Sequence, residues 1–235
     1  MTLGTRHALS TSEVLGHLVR MQARSALGDL DGAAGHADAV DVLAARHERP
    51  LAGVFTAGFR ALRLAVTGAA DPLVDAACTD LARRLDGSGM PGVADGLVPL
   101  ARLCLRVSRS AQGAPVTSRA AQGAPVPNPV AQGAPVPAVF GPYAPWAEPL
   151  LLLDAGRRDD ARRALLATPE PGPSLVLEAL WCLTAHAAVR LGERETAERA
   201  AAALAPAAGH LAGAGSGMLS AGTVDAHLAE VAASG

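Results

Sequence analysis

Lysine and isoleucine are missing from this 235-residue chain, and all twenty of its basic residues are arginine. Without lysine the chain cannot form a Walker A phosphate loop, a Schiff-base lysine or a Ser-x-x-Lys nucleophile. The rare residue types are those that A/T-rich codons encode. The composition therefore predicts a GC-rich, actinobacterial genome and excludes several enzyme classes.

Charge, cysteine and long apolar runs are also scarce. The formal net charge is −2, and no basic stripe of the kind that contacts nucleic acid is present. The three cysteines lie far apart in apolar helical contexts, which predicts buried thiols in a reducing cytoplasm. The N-terminus lacks a signal-peptide pattern, and the stretch 200–218 is too rich in Ala and Gly for a membrane span. We expect a cytoplasmic protein without membrane contact.

One motif occurs three times: a glycine is followed five residues later by an alanine, between two apolar helical stretches. Glycine ends a helix because it adopts a left-handed backbone without steric cost, and a small alanine then lets the next helix cross closely. This is the turn of a tetratricopeptide-like hairpin, so we predict an all-α solenoid of helical hairpins. The turn pairs are Gly28 and Ala33, Gly156 and Ala161, and Gly192 and Ala197.

The chain divides into three parts by pattern. Residues 1–107 read as N-terminal helical repeats, with the first helix capped by Thr11 or Ser12. Residues 108–142 form a Pro/Gly-rich low-complexity segment, and residues 143–235 read as further repeats with a capping helix over 224–231. No alternation typical of a strand is present.

The middle segment repeats Ala-Gln-Gly-Ala-Pro-Val at 111–116, 121–126 and 131–136. No helix tolerates that density of Pro and Gly, and too few apolar groups are present to bury. We predict a disordered surface loop that lengthened by slipped-strand duplication. A polyproline recognition peptide is the alternative.

Two places in the sequence could carry chemistry, and neither has a specific motif. The segment 213–218 lacks the glycines of a nucleophile elbow and of a dinucleotide fingerprint. Cys182 and His186 lie four apart on one helix face, but two ligands do not make a zinc site. We therefore predict no catalytic, cofactor-binding or metal-binding residue and no cofactor, so the chain is not expected to be an enzyme.

Two clusters have both a structural and a partner-binding interpretation. Phe140, Tyr143 and Trp146 hold half of the six aromatic residues. They either anchor the return of the loop onto the core or contact a partner. Four arginines between 157 and 163 are interrupted by Asp159 and Asp160, which favours pairing on a solvated face over phosphate binding.

Five segments resemble a known family: 60–68, 89–93, 140–147, 177–182 and 204–217. Together they are similar to the C-terminal helical region of actinobacterial transcriptional activators of the antibiotic-regulatory-protein (SARP) class, which carry a bacterial transcriptional activator domain (BTAD). The resemblance extends over most of residues 11–233 except the repeated insert. It implies tetratricopeptide-like repeats, but no winged helix or Walker A motif of the family is found in this sequence.

The function expected from repeats and resemblance together is a non-catalytic module of a transcriptional regulator. Such a module binds a protein partner, another domain of the regulator or an effector, and contacts no nucleic acid itself. A small-molecule-binding protein or enzyme, with a site assembled only in three dimensions, is the alternative. A decayed reading frame is a third. A deep pocket enclosing His186 or His36 beside a carboxylate would favour the second hypothesis.

Overall fold

A computed structural model describes residues 3–49, 51–90, 94–111 and 136–235, and most of these residues are helical. Short 3-10 turns lie at Gly141–Tyr143, Ala205–Ala207 and Ala214–Ser216. The α-helices are α1 Leu3–Ala26, α2 Leu30–Arg46, α3 Ala52–Val66, α4 Asp71–Leu85, α5 Leu97–Ala111, α6 Pro137–Phe140, α7 Ala144–Asp154, α8 Arg158–Ala167, α9 Leu177–Leu191, α10 Arg194–Leu204 and α11 Val224–Ala233.

Four antiparallel hairpins share one turn geometry. They pair α1 with α2, α3 with α4, α7 with α8 and α9 with α10. Each first helix ends at a glycine with φ between 73° and 77°: Gly28, Gly68, Gly156 and Gly192. In each turn the residue after the glycine donates its N–H to the carbonyl five residues earlier, as Asp29 does to Arg24. A glycine with positive φ together with this hydrogen bond is the Schellman motif, which ends a helix by satisfying its last carbonyls.

The alanine that follows the turn is buried in all three predicted cases. Ala33 and Ala161 are fully buried, and Ala197 keeps 3% of its surface exposed. The remaining hairpin, α3 with α4, has a leucine, Leu73, five residues after Gly68, and that leucine is exposed. The all-helical fold is therefore as predicted. The hairpin of α3 and α4, which turns at Gly68, has the same turn as the three hairpins that the Gly-to-Ala spacing identified.

Replacing Ala197 by leucine is expected to cost roughly 1–3 kcal/mol of unfolding free energy, because three added carbons would overpack the contact between α9 and α10. Ala202→Leu on the same helix is the matched control, since position 202 is exposed. Urea denaturation of the two variants measures the difference. Equal stability of both variants would remove the packing role of the Gly-to-Ala spacing.

Several helix bounds differ from the sequence expectations. Helix α1 begins at Leu3, so Thr11 and Ser12 lie inside it rather than at its cap. A capping preference does not end a helix when the preceding residues also accept helical geometry. Within the predicted 108–142 loop, α5 continues to Ala111 and helix resumes at Pro137. The segment 112–135, with most of the repeats, lies outside the described residues.

Two buried clusters hold most of the apolar core. The larger one joins α3, α4, α5 and all the later helices. The smaller one lies between the first two hairpins and contains Met21, Ala33, Ala37, Phe59 and Leu62. Ala214, which lies in the connection between α10 and α11, completes the smaller cluster. A C-terminal segment therefore packs into the N-terminal hairpins.

Candidate functional site: a buried strap and its polar anchor

The connection from Gly209 to Gly222, which we call the strap, is the feature that departs most from a simple stack of hairpins. Although it has no long helix, nearly all of its residues from 212 to 222 are buried. An isolated antiparallel bridge joins Leu211 and Thr223 at its base. Because successive hairpins of a solenoid contact only their neighbours, a segment that reaches from the last hairpin back to the first needs specific contacts.

Those contacts begin on α1. The Leu211 N–H donates to the Ala26 carbonyl at 2.8 Å, and the Gln22 side-chain amide donates to the Ser216 carbonyl at 3.1 Å. The backbone comes so close here that a Cβ at Gly217 would lie 3.2 Å from Met21 and Gln22 side-chain carbons. The strap therefore covers the C-terminal half of one face of α1 with backbone contacts.

On α3 and α9 the strap is held by steric fit. A Cβ at Gly58 of α3 would lie 2.7 Å from Met218 Cγ. A Cβ at Gly213 would lie 2.7 Å from the Ala179 Cβ of α9 and 2.8 Å from Leu219 Cδ1. Glycine at these places lets two pieces of chain approach more closely than any side chain allows.

The far end of the strap is fastened by a polar cluster between α9 and α11. His186 Nδ1 lies 2.7 Å from Glu230 Oε1, and His227 Nε2 lies 2.8 Å from the carbonyl of Ala221 in the strap. Both oxygens accept, so these two imidazole nitrogens donate. His227 is fully buried and His186 keeps 6% of its surface exposed. The cluster thus joins α9, α11 and the strap.

The charge in this cluster resides on Glu230. Burial opposes that charge, but the hydrogen bond from His186 and the proximity of both histidine side chains outweigh it and hold the pKa of Glu230 at about 2. Its second oxygen, Oε2, lies 3.6 Å from His227 Nδ1. Both of those atoms are buried, and neither has a hydrogen-bond partner within the described part of the chain. A hydrogen on His227 Nδ1 would lie between these two atoms.

A histidine oriented by a carboxylate is also half of a catalytic arrangement. Cys182, one turn before His186, would be the nearest nucleophile on the same helix, but it is fully buried. Burial raises the pKa of the Cys182 thiol, which disfavours the reactive thiolate. No group of three metal-ligating side chains occurs in the described ranges. The geometry suits holding α11 in place better than it suits chemistry.

His36, the other histidine for which the sequence raised a ligand pocket, pairs with another histidine. Its Nδ1 lies 2.9 Å from His17 Nδ1 across the first hairpin. Partial burial, and then the neighbouring His17, lower the pKa of His36. One ring donates and the other accepts, so this contact joins α1 to α2.

The aromatic residues considered as partner contacts lie at the end of α6, in the 3-10 turn that follows it and in the first turn of α7. Phe140 is fully buried, whereas Tyr143 and Trp146 are half-buried against the main core. An open depression of about 390 Å³ lies beside them, lined by Gly141, Pro142, Ala144, Pro145, Glu148, Ala164, Ala167 and Thr168. Neither the three aromatic residues nor the three residues of the polar cluster line it.

The arginines of the 157–163 cluster are engaged within the protein. Arg157 and Arg163 both pair with Asp160. Arg162 reaches Glu193 of the next hairpin at 2.5 Å. Arg158 donates to the Leu191 carbonyl at 3.1 Å. The cluster therefore joins the third hairpin to the fourth.

Sequence reasoning named His186 but not its partners. His227 and Glu230 lie three apart on α11, which is a visible signal of a shared helix face. Glu230 is 44 residues from His186, however, and no local pattern joins them. Likewise the glycines of the strap read as a simple turn between helices, because nothing local shows that they are buried against α1.

No helix in the described ranges is long and apolar enough to cross a membrane. Comparison with known proteins adds no relative: no protein-family model matches the chain, and no curated protein and no solved structure matches it either.

Proposed function

We propose that this chain is a non-catalytic, tetratricopeptide-like repeat module that binds a protein partner in the cytoplasm. The observation that carries the proposal is the set of four hairpins that share one glycine turn. Hairpins of this kind stack side by side and present extended surfaces for binding. Glu230, a partly buried acid with a histidine on each side, lies between helices, which supports a structural role for it.

The partner is part of a transcriptional regulator. This step rests on the resemblance of the five quoted segments to the C-terminal region of SARP-class activators. DNA binding and ATP hydrolysis, which that family performs with other domains, are assigned to no residue of this chain. The module acts through contact with such a domain or with a separate regulator.

The binding surface lies beside the strap. In a stack of such hairpins the first helices line one surface, and the strap covers part of α1 and α3. Further along α1, Leu15 and Val19 are 59% and 54% exposed. Exposed aliphatic residues in a row on one helix are typical of a surface that another protein covers.

Co-purification from the cell that carries the gene tests this function. The tagged full-length chain is cross-linked in vivo, isolated, and its companions are identified by mass spectrometry. We expect a protein with a DNA-binding domain, and we expect the associated DNA to come from a limited set of promoters. Recovery of metabolic enzymes alone, with no promoter DNA, would contradict the regulatory role.

A second candidate, a small-molecule-binding protein, is favoured by one observation, the His186–Glu230 pair. An effector held there would be lost in His186→Ala while the helical content is retained. Equilibrium binding of metabolites from a cell extract, detected by mass spectrometry after gel filtration, separates the two candidates. Retention of one compound by the wild type and not by the variant would establish this alternative.

A further inference from the structure

The first two hairpins can be placed in a common register. Gly28 and Gly68 are 40 residues apart, and both end their helices with the same Schellman hydrogen bonds. Position 15 on α1 therefore corresponds to position 55 on α3, and 19 corresponds to 59. This correspondence allows residues of α1 to be compared with the equivalent residues of α3, which packs against a preceding hairpin.

On α3 this face packs against the preceding hairpin. Phe59 belongs to one buried cluster with Ala33 and Ala37 of α2, and Phe55 packs against that cluster. The neighbouring polar residues on the same face bind α2 as well. Thr56 Oγ1 donates to Asp41 at 2.7 Å, and Arg60 pairs with Asp41 and Asp38. The face combines an apolar row with an arginine that meets aspartates.

On α1 the same positions hold the same kinds of residue, but no other helix packs against them in the described part of the chain. Leu15 and Val19 stand where Phe55 and Phe59 stand, and Arg20 stands where Arg60 does. All three are exposed. Arg20 has no ion-pair partner among the residues that the structure describes, although its counterpart Arg60 has two. Gly16 and Ala23, also exposed, keep the face flat enough for close approach.

We propose that this face of α1 docks a helical hairpin of a different protein. The residues that the partner must present follow from the contacts that α2 makes with α3. Its second helix presents two alanines four residues apart, as Ala33 and Ala37 do, and an aspartate in reach of Arg20, as Asp41 is of Arg60. The inference rests on the proposed function and specifies its partner.

Another copy of this chain does not supply that helix. On α2, the face that carries Ala33, Ala37 and Asp41 already packs against α3. A second copy would have to release its own contact between α2 and α3 in order to cover α1 in the same way.

A tandem protein tests the surface without the natural partner. A second copy of residues 11–50 is inserted before Thr11 of the full chain, so that the added α2 offers its alanines and Asp41 to the original α1. We expect a single unfolding transition at higher temperature. We also expect Val19→Cys in the original α1 to react with a maleimide roughly tenfold more slowly than in the unmodified chain.

Matched variants control the tandem experiment. Leu15→Ser with Val19→Ser in the original α1 should restore separate unfolding of the added hairpin. Val42→Ser, at a position on α2 that is 62% exposed, should leave the single transition unchanged. Independent unfolding of the added hairpin, with position 19 as reactive as before, would overturn the proposed surface.

A photo-crosslinking amino acid at position 15, with position 42 as control, identifies the occupant in the native cell. A crosslink that maps to a helical hairpin of another protein supports the inference. One that maps to a second copy, an extended segment or a lipid overturns it, as does equal crosslinking from position 42. If the tandem docks but the crosslinked partner has no link to a DNA-binding protein, the proposed function fails and the surface stands.

Discussion

Gly213→Ala should lower the free energy of unfolding by roughly 2–4 kcal/mol, although it adds a single methyl group. Two effects combine. Gly213 has a φ of +78°, a left-handed conformation that costs an alanine about 1 kcal/mol. The new Cβ would also lie 2.7 Å from Ala179 Cβ, which forces the strap away from α9 and adds the 1–3 kcal/mol typical of overpacking.

Gly209→Ala isolates the first of these effects. Gly209 lies in the same strap with a φ of +81°, but a Cβ there would meet nothing within 4 Å. We expect this variant to lose only about 1 kcal/mol, the cost of left-handed alanine alone. Urea denaturation of both variants at the same pH gives the contrast. If they unfold at the same urea concentration, the strap is not held against α9 in solution.

The contrast bears on how the two halves of the protein are joined. Ala214 belongs to the cluster between the first hairpins, whereas Met218 and Leu219 belong to the main core. Helix α3 contributes buried residues to both cores, and the strap is a second element that does so. If Gly213→Ala loosens the strap, hydrogen exchange at the Leu211 amide, which donates to Ala26, should accelerate relative to Gly209→Ala.

The hairpins were predictable because their signal is local. A glycine that must adopt positive φ ends a helix whatever surrounds it, so Gly28, Gly156 and Gly192 mark turns in the sequence itself. Gly68 makes the same turn, but its next helix begins with Asp71 and carries Leu73 where the motif has alanine. The sequence predicts the two helices on either side of Gly68 from the apolar pattern before it and from Asp71-Pro72 after it, although the Gly-to-Ala spacing is absent there.

The strap and the polar cluster were not predictable, because each depends on contacts between distant residues. Gln22 and Ser216 are 194 positions apart, and the pairing of His186 with Glu230 joins α9 to α11 across 44 positions. Apolar periodicity reports only that one face of a helix is buried, not which segment covers it. A glycine-rich stretch can be an exposed turn or a tightly packed one, and composition does not distinguish them.

Acid should weaken this protein partly through one carboxylate, Glu230. Its pKa is about 2 in the folded protein, against an ordinary value of 4.5. A carboxyl whose pKa falls on folding contributes stability above its unfolded pKa, and that contribution is lost as pH falls toward its folded pKa. The window here therefore runs from about pH 4.5 down to about pH 2, and the contribution above it is roughly 2–3 kcal/mol.

Glu230→Gln removes this contribution while keeping the shape of the side chain and an oxygen that still accepts from His186. We expect the variant to be roughly 2–3 kcal/mol less stable than wild type at pH 7, and the two proteins to converge as pH approaches 2. Urea denaturation between pH 2 and 7 measures that difference directly, so acid effects common to both proteins cancel. Glu198→Gln, whose carboxylate is 59% exposed and pairs with Arg194, is the control and should track wild type at every pH.

A constant gap between wild type and Glu230→Gln across the range would show that Glu230 contributes through packing alone. Convergence would show instead that the charge of Glu230, held between His186 and His227, fastens α11 and the end of the strap to α9.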